Sequence, residues 1–108
     1  MALYMTQFSY TPEAWAALMK KPEDRSVPLK ALFEKLGGRL IGLYYCFGEY
    51  DGVAIGEVPD NTAEMAMLLA VIAPGHLKAT KTTVMFTVQE AMQAMGKAGG
   101  IAYPAPKG

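Results

Sequence analysis

The sequence predicts an α+β domain with the ferredoxin-like order βαββαβ, an antiparallel sheet and a short C-terminal helix. Three observations predict it. A Gly-bounded turn, Phe47-Gly48-Glu49-Tyr50-Asp51-Gly52, separates the apolar runs 40–47 and 53–58, which reads as a β-hairpin. Further strand-like runs open the pattern at 3–10 and close it at 77–88. Between each outer run and the hairpin lies a segment whose apolar residues recur at helical spacing, and two helices arranged in this way around a central hairpin make the split βαβ unit.

Each element has local chemistry behind it. The first strand stops at Thr11-Pro12, where Thr suits a helix N-cap and Pro its first position. Trp15, Leu18 and Met19 follow at helical spacing, Lys21-Pro22-Glu23-Asp24 interrupts, and Leu29, Leu32, Phe33 and Leu36 resume the pattern up to Gly37-Gly38. The reading is a helical hairpin or one kinked helix with a glycine C-cap. Strands at 39–47 and 52–58 form the hairpin. Pro59 breaks the second of these, and Asn61 with Glu64 has capping-box spacing for a helix running to residue 73, ended by Pro74-Gly75. The last strand, 77–88, places Thr82, Val84, Phe86 and Val88 on one face. Thr87 and Glu90 are spaced to cap a terminal helix carrying Ala91, Met92 and Met95. One domain is expected over residues 1–96, followed by a Gly/Pro-rich tail over 97–108 that reads as extended or disordered. No internal repeat is visible.

Composition narrows the function. Ten Lys plus Arg balance ten Asp plus Glu in a chain of 108 residues, so no long-range field gathers nucleic acid or an anionic membrane. The longest apolar run, 65–73, is about half the length needed to span a bilayer. Residues 1–6 carry no basic region and no long apolar stretch follows, so no secretory signal is expected. Cys46 is the single cysteine; it excludes an internal disulfide, fits a reducing cytoplasm, and in an apolar strand is expected as a buried thiol. No phosphate-binding glycine loop, serine elbow or Cys-His pair occurs, and no cofactor or metal is expected.

The turn at 47–52, with Gly48, Tyr50 and Asp51, resembles the signature of the GYD domain family, and the resemblance covers residues 1 to 96. It implies a small ferredoxin-like domain related to the dimeric α/β barrels, in which two sheets pack face to face, and it implies no reaction. The strand pattern asks for the same pairing. Two helices cover one sheet face only. Yet strict alternation on the second strand sends Leu40, Tyr44 and Cys46 to one side and Ile41, Leu43, Tyr45 and Phe47 to the other. Both sides are apolar, and an uncovered apolar face marks association. A homodimer or higher homo-oligomer follows.

Few residues offer chemistry. Asp51 can hold the hairpin by accepting backbone N–H bonds, with Gly48 and Gly52 supplying permissive dihedrals. Its functional alternative is a base beside the Tyr50 hydroxyl at the mouth of a cleft between sheet and helices. His76, the single histidine, follows a helix stop, where helix carbonyls favour the imidazolium; it reads as a cap, or as a general acid or base. Arg25 stands where the GYD family often has Arg, and suits a carboxylate of its own loop or an anionic ligand. Tyr4, Tyr10, Tyr44 and Tyr45, with Met5, Met85 and Phe86, read as core or interface, or as an apolar pocket with hydroxyl tips. The resulting expectation is a cytoplasmic homo-oligomer binding a small apolar or aromatic molecule or a protein partner, with Tyr44, Tyr50, Asp51, His76 and Arg25 as ligand contacts. The alternative is a small cofactor-independent oxygenase or isomerase using Asp51, Tyr50 and His76, an analogy at the level of fold.

Overall fold

A computed structural model describes residues 1–107. Strand β1 (Ala2–Tyr10) leads to helices α1 (Pro12–Lys20) and α2 (Ser26–Lys35). Strands β2 (Arg39–Tyr45) and β3 (Gly52–Val58) form the hairpin, followed by α3 (Asn61–Ile72), β4 (Leu77–Met85) and α4 (Val88–Gly99). The sheet has the order β2-β3-β1-β4 with every pair antiparallel, which is the ferredoxin-like arrangement.

The local signals act largely as expected. The Thr11 side chain accepts from Ala14 N, with Pro12 opening α1. The break at Pro22 separates two helices. Helix α2 closes in a Schellman motif, in which Gly38 N donates to Phe33 O at 2.9 Å and Gly37 N to Glu34 O at 3.1 Å. Thr87 and Glu90 make a full capping box. Other boundaries move. The N-cap of α3 is Asp60, whose side chain accepts from Ala63 N, one residue earlier than the Asn61 and Glu64 pairing requires. Asn61 is thereby free to accept the Tyr4 hydroxyl, and Glu64 turns toward the sheet and is buried. Strand β4 ends at Met85, so Phe86 is a link and Val88 belongs to α4. That helix runs for 12 residues to Gly99 and buries no side chain.

One irregularity rearranges the sheet faces. The β2–β3 register shifts between Leu40 and Gly42, leaving Ile41 as the extra residue of a bulge. Past it Leu43 pairs with Ala54 and Tyr45 with Gly52, opposite residues that are buried, while Tyr44 pairs with Val53. The expected grouping of Leu40 with Tyr44 and Cys46 therefore fails, because a single inserted residue flips every later side chain. Strand β2 also stops at Tyr45, which places Cys46 in the turn, exposed rather than buried. Its Sγ donates to Tyr50 O.

Tyr4, Thr6, Phe8 and Tyr10 of β1 alternate onto the helix-covered face, as do Ala54 and Val58 of β3, and all six are buried. Tyr4, Phe33, Val58 and Met67 form the core, packed by Leu29, Leu32, Leu40 and Val71. Glycines on β3 make room for the rings: a Cβ at Gly56 would stand 2.4 Å from Phe33, and one at Gly52 2.4 Å from Phe8. Gly52 thus serves space rather than dihedral freedom, whereas Gly48 in the turn holds a φ of 130°. On the opposite face Leu3, Met5, Val53, Ile55 and Met85 form apolar rows of which none is buried.

The radius of gyration is 17.7 Å and the long axis 59 Å, against ~13 Å for the radius of a compact domain of this length. No described helix is long and apolar enough to cross a membrane.

Candidate functional site

The end of β1 organises the polar chemistry of the molecule. Tyr10 N donates to Asp51 Oδ2 at 2.9 Å, and Trp15 Nε1 donates to the same oxygen at 3.0 Å. The Asp51 carboxylate therefore ties the hairpin to β1 and to α1, while its backbone carbonyl closes the turn by accepting from Cys46 N at 2.8 Å. The Tyr10 ring meets Trp15 edge to face at 5.0 Å, lies 6.1 Å from the His76 ring, and its hydroxyl sits 3.1 Å from that of Tyr45. Thr11 N donates to His76 O at 3.0 Å, which fixes the residue that follows α3 against the start of α1.

Beside Tyr10 a cavity of about 210 Å³ opens between sheet and helices. Thr6, Phe8 and Ala54 supply the sheet wall, Leu29 and Leu32 the α2 wall, and Met67 and Val71 the α3 wall. These side chains are apolar apart from the Thr6 hydroxyl, which pairs with Thr82 Oγ1 at 2.9 Å. Arg25 and His76 complete the lining. Arg25 holds Glu23 at 2.8 Å through Nη1. Burial, and then the Arg25 charge, push the His76 pKa below its ordinary value, so the neutral imidazole is favoured at pH 7. This reverses the expectation of an imidazolium: the residue stands four places past the last helical position, where helix carbonyls no longer reach it. Burial is also the main cause that raises the Tyr10 phenol, with the Tyr45 hydroxyl adding to it.

Of the ligand contacts read from the sequence, Arg25 and His76 are brought together and line the cavity. Asp51, Tyr50 and Tyr44 do not line it. No hydrogen bond joins Asp51 to His76 among the described residues; Tyr10 stands between them, its N–H on one and its ring beside the other. Tyr50 lies half-buried in the turn, and Tyr44 is 60% exposed on the uncovered face. Tyr10 joins the site, while Tyr4 belongs to the core. Thr6, Phe8, Leu29 and Met67 were missed as site residues. The alternation of Tyr4, Thr6, Phe8 and Tyr10 along β1 is the signal that could have found the first two. No group of three or more His, Cys, Asp or Glu side chains suited to a metal occurs among the described residues.

The GYD domain model matches residues 4–95 of the sequence. No curated protein matches. Among solved structures, the crystal structure of FFRP-DM1 is similar at a TM-score of 0.50 and 15% identity, over 80% of this chain and 100% of that one. TTHA0845 from Thermus thermophilus is similar at 0.44 and 18% identity, over 82% and 96% of the two chains. An uncharacterized NIPSNAP-like domain protein from Burkholderia xenovorans is similar at 0.46 and 13%, over 81% and 84%. At 15% identity the likeness to FFRP-DM1 is one of fold alone.

Proposed function

The chain belongs to the GYD domain family, and we propose that it is a self-associating cytoplasmic domain whose cleft between sheet and helices binds a small apolar or aromatic molecule. The observation that carries the reading is the cavity at Tyr10: apolar on three sides, with polar groups confined to Thr6, Tyr10, Arg25 and His76. An apolar recess with a few convergent polar groups is the common form of a small-molecule site. Self-association draws support from the rows Leu3, Met5, Val53, Ile55 and Met85 and from Val88, Met92 and Met95 of α4, which are 78%, 63% and 67% exposed. A second copy supplies a surface of the same chemistry to both. The free Cys46 thiol at the surface fits a reducing compartment.

Benzyl alcohol, a neutral single-ring probe, tests the site. Titrated against the labelled protein, it is expected to shift the amide resonances of Phe8, Leu29, Met67 and His76. Shifts confined to the uncovered sheet face, or none at the solubility limit, would remove the site. Sedimentation tests the assembly, with a dimer expected at micromolar concentration and a stable monomer counting against it.

The catalytic alternative keeps one favourable observation. His76, held neutral inside the cavity, is competent to accept a proton from a bound molecule. Asp51 does not line the cavity, and its Oδ2 accepts two structural donors, so His76 is the stronger candidate.

A further inference from the structure

The charge around the cavity is of one sign. Arg25 lines it, and no Asp or Glu does. The acid that Arg25 does hold, Glu23, lines a neighbouring cleft instead, one shared with Ala14, Leu18, Arg25 and His76. Arg25 and His76, together with Tyr10, therefore line both the apolar cavity and an outer recess in which Glu23 is the one acid. The Arg25–Glu23 pair lies at that outer side with side chains 34% and 53% exposed. Exposed pairs of this kind contribute little to stability, so a second carboxylate reaching Arg25 from the apolar side competes with Glu23 at little cost. Only Nη1 of the guanidinium is engaged, and a guanidinium fork carries further donors suited to a planar carboxylate.

Size limits the remainder of the ligand. An engineered apolar cavity of about 150 Å³ holds benzene. The 210 Å³ here suits one ring with a small substituent. Phe8, Leu29, Leu32, Met67 and Val71 offer that ring or a branched chain no hydrogen bond, and the Thr6 and Tyr10 hydroxyls are already paired with those of Thr82 and Tyr45, so the polar part of the ligand is best met at Arg25 and His76.

We propose that the cavity selects a small apolar monocarboxylate, aromatic or branched, with its carboxylate on Arg25 beside His76 and its apolar body against Phe8, Leu29 and Met67. The proposal rests on the cavity being a ligand site at all. Neutral His76 complements it, because one ring nitrogen donates to the carboxylate while adding no second positive charge beside Arg25.

Benzoate and benzyl alcohol carry the same ring and differ in the charged group. In calorimetric titrations of the full chain at about pH 7.5, where benzoate is ionised, benzoate is expected to bind about tenfold tighter or more, the range of a charge-assisted hydrogen bond. In Arg25→Gln, checked for an intact amide spectrum, the two affinities should converge to within about twofold. Glu23→Gln keeps the guanidinium and removes its competitor, and should tighten benzoate alone. Equal affinities in the native protein, a preference that survives Arg25→Gln, or a weaker benzoate in Glu23→Gln would each overturn the proposal. Benzyl alcohol binding without any benzoate preference overturns the carboxylate assignment and leaves the cavity as a site; failure of both probes overturns the two readings at once.

Discussion

Two carboxylates approach β1 from opposite ends, and the fold treats them in opposite ways. At the Tyr10 end, Asp51 accepts from a backbone N–H and from the Trp15 indole. At the Tyr4 end, Glu64 is only 4% exposed, and neither of its oxygens has a hydrogen-bond partner among the described residues. The Tyr4 hydroxyl donates to Asn61 instead. A carboxylate with donors stabilises a structure wherever it is charged. One without donors stabilises it only when it carries its own proton, and burial accordingly raises the Glu64 pKa. The first is a joint. The second makes stability conditional on pH.

Asp51→Ala should have the largest effect, since it strips the acceptor from two half-buried N–H groups. A loss of about 2–3 kcal/mol in denaturant unfolding is expected, with Asp51→Asn recovering part of it through its amide oxygen. A loss under about 0.5 kcal/mol would end the contrast, because Asp51 would then be no joint.

Gly52→Ala tests the same end of the sheet by steric means. Its Cβ would sit 2.4 Å from the Phe8 ring and 2.9 Å from Tyr44 O, and overpacking of this kind costs about 1–3 kcal/mol. The thermal midpoint should fall, and benzyl alcohol should bind more weakly as Phe8 is displaced into the cavity.

Glu64 should respond with the opposite sign. The folded pKa lies above the unfolded one, so the native state binds the extra proton and its stability falls as pH rises through the folded value. Glu64→Met should therefore stabilise the protein by about 1 kcal/mol near pH 8. The gain should shrink near pH 4, where both states of Glu64 are protonated. Chemical denaturation at the two pH values measures it, and a gain independent of pH would show that Glu64 reaches solvent.

Tyr50→Phe should do least. The Tyr50 hydroxyl makes no hydrogen bond among the described residues, and the residue contributes its backbone carbonyl to Cys46. A change within about 0.5 kcal/mol is expected, with benzyl alcohol affinity unaltered; a larger change in either would return Tyr50 to the site.

The comparison also marks where sequence reasoning carries and where it stops. Thr11-Pro12, Gly37-Gly38 and Thr87 with Glu90 act through neighbours in the chain, so element order and topology were legible. The Ile41 bulge was not, because alternation says nothing of an inserted residue and the face assignment of Tyr44 followed it into error. The cap at Asp60 was missed by one place, and that place decides whether Glu64 serves a helix end or is buried. Asp51 was legible as a structural residue but not in its contacts, whose donors lie 36 and 41 residues away. Arg25 and His76 were each nameable as ligand contacts from charge and residue type. Their meeting across one cavity depends on how the sheet spaces α2 and α3, which no local pattern states.

The reach of α4 has a consequence for how the molecule responds to dilution. A helix of 12 residues that buries nothing is marginal in water on propensity alone, since isolated helices shorter than about 12–15 residues barely hold. In a lone protomer its order rests on the Thr87 and Glu90 cap. On the proposed self-association, concentration becomes a structural variable for α4, while the sheet keeps its own hydrogen-bonded ladders in a lone protomer. If the proposed self-association covers α4, far-ultraviolet helicity should decline on dilution, with the near-ultraviolet signal of Trp15, bonded to Asp51, unchanged.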